Sequence, residues 1–201
     1  DSETDSNIVL PKQHKCCCHA LNLIGSKDAE DALKVATYGR NYRAATAKCQ
    51  GIWNAVRRST KASDAVAAIC VDKRFLIPCA TRWNSMYYAI SRVLEFADKL
   101  SDISDALELP KFKAVEIAVL KEYARVMEPL ASTLNALQGE SNNFYGLILP
   151  KLVLLKSKLN KLLTSDNSNK QLIYAEPLVN ALMAGLNNRF SNLFDLRGTA
   201  A

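Results

Sequence analysis

Apolar residues recur along most of this chain at spacings of three and four positions, which is the period of an amphipathic α-helix. The first clear stripe consists of Trp83, Tyr87, Ile90, Leu94, Ala97 and Leu100. The second consists of Tyr123, Val126, Leu130, Leu134 and Leu137. The third consists of Leu178, Leu182, Leu186, Phe190 and Leu193. The pattern predicts a mainly α fold of roughly seven or eight helices, joined by loops of ordinary length.

Prolines and polar runs mark where these helices begin and end. Pro78 precedes the first stripe, and Pro110 separates it from the second. The polar run at residues 165–170 is typical of a turn, and Pro177 suits the first turn of the last helix. Pro129 falls inside the second stripe, so the sequence predicts a helix that is either kinked there or divided into two pieces.

The composition is that of an ordinary soluble globular protein, with 49% apolar and 23% charged residues. The most apolar run, residues 146–155, contains Pro150 and Lys151 and is too short to cross a bilayer, so we expect no membrane partner. Three of the six cysteines are consecutive, which makes poor disulfide staples, and no signal-peptide layout is present. The cysteines therefore favour reduced thiols in the cytosol or nucleus.

The net charge of +6 is unevenly distributed. Residues 32–63 contain no acidic residue but seven basic ones, Lys34, Arg40, Arg43, Lys48, Arg57, Arg58 and Lys61. Tyr38, Tyr42 and Trp53 lie among them. Such a stretch suits nucleic-acid binding, with cations pairing with phosphates and aromatic rings stacking on bases. It equally suits a solvated helix face whose countercharges come from elsewhere in the fold, and composition does not decide between the two.

Catalytic and metal-binding motifs are sparse. The sequence has no glycine-rich phosphate loop, no GxSxG and no HExxH motif, and its carboxylates do not have the spacing of a two-metal site. Cys16 and His19 share a face of a predicted helix and could form half of a zinc site. The only other histidine is His14, so a buried structural cysteine with a hydrogen-bonded histidine is the favoured interpretation. Cys17 and Cys18 carry no distinctive signal.

The segment at residues 79–85 (CATRWNS) is the sharpest local pattern. Thr81 can cap a helix that begins at Arg82, which places Arg82 and Trp83 at a positively polarised helix end. Such an end suits a phosphate, and an exposed indole stacks on an unpaired base with about 1–3 kcal/mol. Trp83 is also the first member of the first apolar stripe, and on the residues alone a core position is favoured.

Five segments, in order along the chain, resemble motifs of hAT-superfamily transposases. Residues 15–23 (KCCCHALNL) resemble the family's CxxH-x-LNL segment, and residues 77–87 (IPCATRWNSMY) resemble its TRWNS-x-Y segment. Residues 47–54 (AKCQGIWN), followed by Arg58-Ser59, match an intervening piece. LQGE, FYG and LP within residues 137–150, and residues 188–194 (NRFSNLF), match two later pieces. The resemblance is to the branch that includes BED-finger transposases and their domesticated relatives.

The resemblance implies a place for this chain within a larger fold. The family has a ribonuclease-H-like catalytic core that is interrupted by a large all-helical insertion. Residues 1–13 would be an acidic leader, and residues 14–25 the CxxH segment at the edge of the core. Residues 26–195 would form the helical insertion domain, and residues 196–201 a tail leading back to the core. The family's oligomerisation segment would lie beyond Ala201.

The resemblance also implies a role for particular residues. Family members cut DNA with three acids that bind two divalent metals, Mg or Mn, and none of the three aligns with this chain. We therefore expect no catalytic residue and no cofactor in this stretch. Trp83 would stack on a flipped base and Arg82 would hold a phosphate, which reverses the preference for a core position. The DNA-binding residues implied or predicted are Arg82, Trp83, Asn84, Arg57 and Arg58. Cys16 and His19 would give structural support beside the active site.

Three accounts of function remain open on the sequence. In the first, the chain is a nuclear, DNA-binding part of a metal-dependent transposase. In the second, the parent is a domesticated protein that has lost cleavage and keeps the fold as a scaffold for protein interaction or transcriptional regulation. A helical interaction domain with no role on DNA is a third possibility. The catalytic acids of the parent would discriminate the first two.

Overall fold

A computed structural model describes residues 16–71, 73–79, 83–138, 145–164 and 171–195. Every regular element in these ranges is helical, which confirms the predicted α class; the α-helices described number nine rather than seven or eight. They are α1 (Cys17–Leu23), α2 (Ala36–Arg58), α3 (Thr60–Ile69), α4 (Trp83–Leu94), α5 (Leu100–Ala106), α6 (Ala114–Gln138), α7 (Ile148–Leu163), α8 (Glu176–Arg189) and α9 (Ser191–Asp195). A π-helical turn (Ile24–Asp28) and a 3-10 segment (Ala29–Lys34) connect α1 to α2, and a 3-10 turn (Tyr145–Leu147) precedes α7.

The long helix α6 is the centre of the fold. It contacts α1, α2, α4, α7 and α8, and twelve of its 25 residues are buried. The whole second stripe, from Tyr123 to Leu137, is among them, as the apolar spacing predicted. Pro129 lies inside α6 without dividing it, so the expectation of two separate pieces is wrong. The buried hydroxyl of Thr133 donates a hydrogen bond to the Pro129 carbonyl at 2.8 Å, which satisfies one acceptor near the proline.

The start of α6 is fixed by a buried carboxylate. Glu116, which is 4% exposed, accepts a hydrogen bond from the Lys113 backbone N–H at 2.7 Å. This is half of a capping box, in which a side chain in the first turn satisfies a backbone donor that has no partner within the helix. The Lys48 ammonium lies 2.6 Å from the same carboxylate and joins α2 to α6. Glu116 therefore serves both the helix start and the packing of two helices.

A second carboxylate organises the start of α8. Glu122 of α6 accepts hydrogen bonds from three consecutive backbone N–H groups, those of Ile173, Tyr174 and Ala175, at 2.8–2.9 Å. These groups precede or begin α8, where the helix dipole also favours negative charge. Pro177 lies in the first turn of α8, as predicted. One side chain of the central helix thus fixes where α8 begins.

The other two stripes are divided between elements. α4 ends at Leu94, residues 95–99 form a turn, and α5 begins at Leu100, so the first stripe belongs to two helices. In the third stripe, the four residues from Leu178 to Phe190 are buried, whereas Leu193 in α9 is half-buried. The predicted turn at residues 165–170 lies outside the described residues. Within the part that the structure describes, no helix is both long enough and apolar enough to cross a membrane.

The π-helical turn is anchored to the other end of the domain. Asp28 accepts two hydrogen bonds from Arg189, in the last turn of α8, at 2.6 and 2.7 Å. The approach is close because Gly185 has no side chain. A Cβ on Gly185 would lie 2.5 Å from an Asp28 carboxylate oxygen. The residues that follow α1 are therefore held rigidly against α8.

Candidate nucleic-acid interface

The exposed face of α2 is entirely free of carboxylates. Arg40, Arg43, Arg57 and Arg58 are all exposed, and α2 contains no Asp or Glu. Arg40 and Arg57 are 17 positions apart, which is about 26 Å along an α-helix at 1.5 Å per residue. Arg43 also lies between them, Lys48 pairs with Glu116, and the other exposed or half-exposed side chains between them are neutral. The exposed charges of α2 therefore form a positive strip with arginines near its two ends, which are about as far apart as several nucleotide repeats of a DNA duplex.

The seven cations of the basic stretch form two groups: those that pair with a carboxylate of the fold and those that do not. Lys34 pairs with Asp31 at 2.6 Å, and Lys48 pairs with the buried Glu116 at 2.6 Å. These two follow the interpretation in which countercharges come from the fold. Arg40, Arg57, Arg58 and Lys61 make no ion pair within the described residues, and Arg43 donates to the Leu33 carbonyl at 3.4 Å. The cations without an ion pair therefore lie on the outer face of α2 and at its junction with α3; they include Arg40, Arg57, Arg58 and Lys61.

The aromatic residues between these cations face inward. Tyr38 is 2% exposed and Trp53 is fully buried, so neither ring is available to stack on a base, and that part of the prediction is wrong. Tyr42 is half-buried and packs on Tyr38 and Tyr123, with ring centroids 5.7 and 5.2 Å apart. Burial raises the pKa of Tyr42 to about 12. The aromatic rings face inward because α2 is amphipathic, with its aromatic residues and its arginines on opposite faces of the helix.

Arg57 and Arg58 lie at the last turn of α2, where the chain turns sharply into α3. The Ser59 hydroxyl accepts a hydrogen bond from the Ala62 backbone N–H at 3.2 Å and so caps α3. The partial negative charge at the end of α2 stabilises both cations. Lys61, in the first turn of α3, extends the same exposed corner. The structure therefore holds the two predicted arginines side by side on a rigid helix end.

Trp83 is the first residue of α4 and is half-buried. Its indole lies against Gly25 in the π-helical turn. A Cβ built on Gly25 would lie 2.6 Å from two indole ring carbons and 2.9 Å from the indole nitrogen. One side of the ring thus packs on the backbone of residue 25, a contact that any larger residue there would disrupt. Gly25 could not be predicted as a site residue, because nothing in the local spacing ties it to a residue 58 positions away.

Two polar atoms at the start of α4 have no partner. The indole nitrogen of Trp83 and the side-chain oxygen of Asn84 are both buried, and neither makes a hydrogen bond within the described structure. Buried polar atoms without partners cost about 1–3 kcal/mol each and call for an explanation at the site where they occur. Here they lie together beside a π-helical turn, a type of distortion that is frequent at functional sites.

The loop before α4 is attached to the helix through Ser85. The Ser85 hydroxyl accepts a hydrogen bond from the Cys79 backbone N–H at 2.9 Å and donates one to the Cys79 carbonyl at 2.7 Å. This pair fixes the position of the chain that leads into the TRWNS segment. Thr81 and Arg82 lie outside the described residues, so the predicted cap and the predicted phosphate contact are not located. The described helix begins one residue after Arg82.

In the CxxH segment, the cysteine that was predicted to be buried is exposed, and the two cysteines after it are half-buried. Cys16 and His19 are both exposed, so the expectation of a buried cysteine at position 16 is wrong. The inward thiols are those of Cys17 and Cys18, and Cys18 donates a hydrogen bond to the Leu137 carbonyl of α6 at 3.4 Å. Burial, together with the neighbouring thiols, raises the pKa of Cys17 to about 11.

The reason lies in the helical spacing of α1. The buried residues Ala20, Leu21 and Ile24 lie three, four and seven positions after Cys17, and therefore share its face. Cys16 and His19 share the opposite, outer face. Within the described residues, no group of three or more His, Cys, Asp or Glu side chains could hold a metal ion.

A second basic surface escaped the sequence analysis. Residues 145–164 contain four lysines and no acidic residue, and the same scan for one-signed stretches would have detected them. Lys156 and Lys161 of this run line a groove of about 480 Å³ between α7 and α9.

Comparisons of the chain with protein-family models, with curated proteins and with solved structures gave no match. Function is therefore argued from the motifs and from these surfaces.

Proposed function

We propose that this chain is the DNA-binding helical region of a hAT-type transposase or of a transposase-derived protein. In this account it positions DNA ends through the exposed face of α2 and through the segment around Trp83. The catalytic acids and their divalent metals belong to other parts of the parent protein. The expected site of action is the nucleus, where the DNA substrate is found.

One observation carries the proposal: the outer face of α2 presents arginines that no carboxylate of the described fold neutralises. A folded domain gains nothing in internal stability from such a strip, because like charges along one face repel each other. A polyanion provides the missing countercharge and releases its condensed counterions on binding. Arginine, with its planar donor fork, is the residue best suited to phosphate oxygens.

The fold is compatible with the placement that the motifs imply. An all-helical domain is expected for the insertion, and the described residues contain helices and no strand. The exposed outer face of α1, with Cys16 and His19, is a surface on which a neighbouring catalytic core would pack. These two residues would then give structural support across that boundary.

The position of Trp83 sets a condition on its proposed role. One side of its ring packs against Gly25, so the indole is held in a fixed orientation rather than extended freely into solvent. An aromatic side chain that is already immobilised loses little conformational freedom when a base stacks on it. Asn84 and Arg82 belong to the same segment and would contact the strand beside that base.

Equilibrium binding to labelled DNA tests this proposal. We compare an intact duplex with the same duplex carrying one unpaired base, for the full 201-residue chain and its Trp83→Ala variant. We expect the wild type to prefer the unpaired base and Trp83→Ala to lose that preference, by roughly 5- to 150-fold if stacking contributes about 1–3 kcal/mol. Circular dichroism of the variant shows whether the fold is retained.

Two results would contradict the proposal. The first is negligible affinity for both DNA molecules at low salt, which would remove DNA as a partner. The second is an unfolded Trp83→Ala variant alongside a folded Trp83→Phe variant, with neither the wild type nor Trp83→Phe preferring the unpaired base. That combination would assign Trp83 to the core and leave the arginine face as the only DNA contact.

A second candidate function is a scaffold for protein interaction. The loop after α3 exposes three large apolar side chains, Val71, Leu76 and Ile77, which are 75%, 43% and 45% exposed. Ile77 also lines a pocket of about 210 Å³ with Val56, Val66 and Phe75. Large apolar side chains exposed on one loop suit a protein-binding surface. Ile77→Ser, with unchanged DNA affinity and loss of a protein partner, would favour this second function.

A further inference from the structure

The groove between α7 and α9 has the chemistry of an anion site. α7 presents Lys151, Lys156, Lys158 and Lys161, with no acidic residue between positions 145 and 164. The groove is lined by Val153, Lys156, Ser157, Asn160, Lys161, Thr164 and Phe194. The lining therefore combines two ammonium groups with two hydroxyls and one amide, and none of the described residues that line it is acidic.

The lining residues of α7 form one continuous stripe. Ser157, Asn160 and Thr164 are separated by three and four positions, so their polar groups follow one another along the helix axis. The Thr164 hydroxyl donates to the Asn160 carbonyl at 3.2 Å, whereas the Ser157 hydroxyl and the Asn160 side-chain amide make no hydrogen bond within the described residues. Donors spaced along a helix in this way can contact successive oxygens of an extended anion.

Phe194 of α9 holds one of the two cations in place. The Lys156 ammonium lies 4.8 Å from the centroid of the Phe194 ring, within the range of a cation–π contact. A lysine normally loses much rotamer freedom when it binds a ligand, and this contact reduces that loss. The ring therefore orders Lys156 at the groove before any anion arrives. Phe194 lies in one of the segments that resembles the transposase family, to which no role had been attached.

We propose that this groove binds a phosphodiester group of a DNA strand, as a second DNA contact separate from α2. The inference rests on the proposed function, because it takes the same polymer as its ligand. α7 packs against α6 and α8, whereas α2 packs against α6 and α3, so the two basic surfaces are carried by different helices with different neighbours. The groove volume of about 480 Å³ is ample for one phosphate and part of its nucleoside.

The test compares two pairs of lysine substitutions in the full chain. Lys156→Gln/Lys161→Gln removes the cations of the groove. Lys151→Gln/Lys158→Gln removes the same charge from the same helix without altering the groove lining. Each lost phosphate contact lowers the slope of log affinity against log salt by about 0.9 for duplex DNA. Because the groove holds one phosphodiester group, we expect the groove pair to lower the slope by about 0.9 and the control pair to lower it by less than half as much.

A direct reading of the groove separates this inference from the proposed function. We titrate a 5′-phosphorylated thymidine dinucleotide and follow the side-chain amide resonance of Asn160 by NMR. A shift that saturates in the wild type and is absent from Lys156→Gln/Lys161→Gln supports the groove, even if long duplex DNA fails to bind. Equal salt slopes for the two lysine pairs, or no shift of Asn160, overturns it.

A third experiment tests whether the groove binds an anionic membrane surface instead of a phosphodiester. Basic amphipathic helices also bind membrane surfaces, so vesicles of phosphatidylcholine and phosphatidylserine are tested in parallel. If the vesicles bind, the groove pair abolishes that binding, and the dinucleotide leaves Asn160 unshifted, the phosphodiester assignment is wrong. If the vesicles do not bind while the dinucleotide shifts Asn160, the assignment is supported.

Discussion

The guanidinium of Arg189 donates two hydrogen bonds to the carboxylate of Asp28, although 161 positions separate the two residues in the chain. The contact joins the π-helical turn after α1 to the last turn of α8. Because the Gly25 backbone that supports Trp83 belongs to that same turn, the ion pair indirectly fixes the backbone against which the indole packs. Stability and the candidate site are therefore coupled through one short segment.

Replacing Arg189 by lysine tests how much the ion pair with Asp28 stabilises the fold. A lysine keeps the charge but cannot donate two parallel hydrogen bonds to one carboxylate. We expect Arg189→Lys to lower the free energy of unfolding by about 1–2 kcal/mol, measured by urea denaturation. Arg57→Lys, at an exposed position without an ion pair in the described structure, serves as the control and should change it by less than 0.5 kcal/mol. Equal free energies of unfolding for the two variants would contradict a stabilising role for the Arg189–Asp28 ion pair.

Gly25→Ala tests the contact between the π-helical turn and Trp83. The added methyl group would lie 2.6 Å from the ring carbons, so the indole must move. We expect a shifted ¹⁹F resonance for Trp83 in protein labelled with 5-fluorotryptophan, while the resonance of the fully buried Trp53 stays in place. The matched control is Gly146→Ala, because a Cβ at Gly146 would have no neighbour within 4 Å. A Trp83 resonance that is unchanged in Gly25→Ala would exclude the packing described.

Glu122→Gln tests how the start of α8 is fixed. The neutral amide accepts weaker hydrogen bonds than the carboxylate and loses the attraction to the helix dipole. With three backbone N–H groups affected, we expect the free energy of unfolding to fall by about 1–3 kcal/mol. Hydrogen exchange at Tyr174 and Ala175 should accelerate. Glu128→Gln, on the exposed side of α6, is the control, and comparable losses in both variants would argue against a specific role for Glu122.

The buried thiol of Cys49 predicts a loss of stability at alkaline pH. Burial raises its pKa from 9.0 to about 12, so the unfolded chain releases the proton at lower pH than the folded chain does. The associated stability is complete below pH 9 and declines as the pH rises towards 12. At pH 10.5 the loss amounts to about 2 kcal/mol.

Cys49→Ala removes this titration and provides the measurement. The free energy of unfolding is compared at pH 8 and pH 10.5 by urea denaturation. The difference between the two pH values should be about 2 kcal/mol smaller in Cys49→Ala than in the wild type. In Cys16→Ala, which replaces an exposed thiol, it should match the wild type. An identical pH dependence for all three proteins would show that Cys49 is accessible to solvent.

Apolar periodicity predicted the helices well because burial of one face is a local property of the sequence. Every residue of the stripe from Tyr123 to Leu137 is buried, and Pro177 occupies the first turn of α8. The same rule, applied to α1, would have placed Cys17 inward and Cys16 outward, since Cys17 shares a face with Ala20, Leu21 and Ile24. That error came from weighing the motif above the spacing.

The site was less predictable, because its geometry depends on long-range contacts. Gly25 lies beneath Trp83, and Glu116 neutralises Lys48, only because helices distant in sequence pack together. Charge counting could not distinguish the paired Lys48 from the unpaired Arg57. It could have detected the lysines of α7, but Phe194, which completes the groove, comes from a separate helix.

The salt dependence of DNA binding by two double variants tests the central claim most directly. Arg57→Gln/Arg58→Gln removes two charges from the exposed end of α2, and Lys113→Gln/Lys121→Gln removes two from exposed positions at and near the start of α6. We predict that the arginine pair lowers the salt slope of duplex binding by about 2 and weakens binding to all sequences alike, while the lysine pair leaves the slope nearly unchanged. Equal slopes for the wild type and the arginine pair would contradict a DNA-binding face on α2.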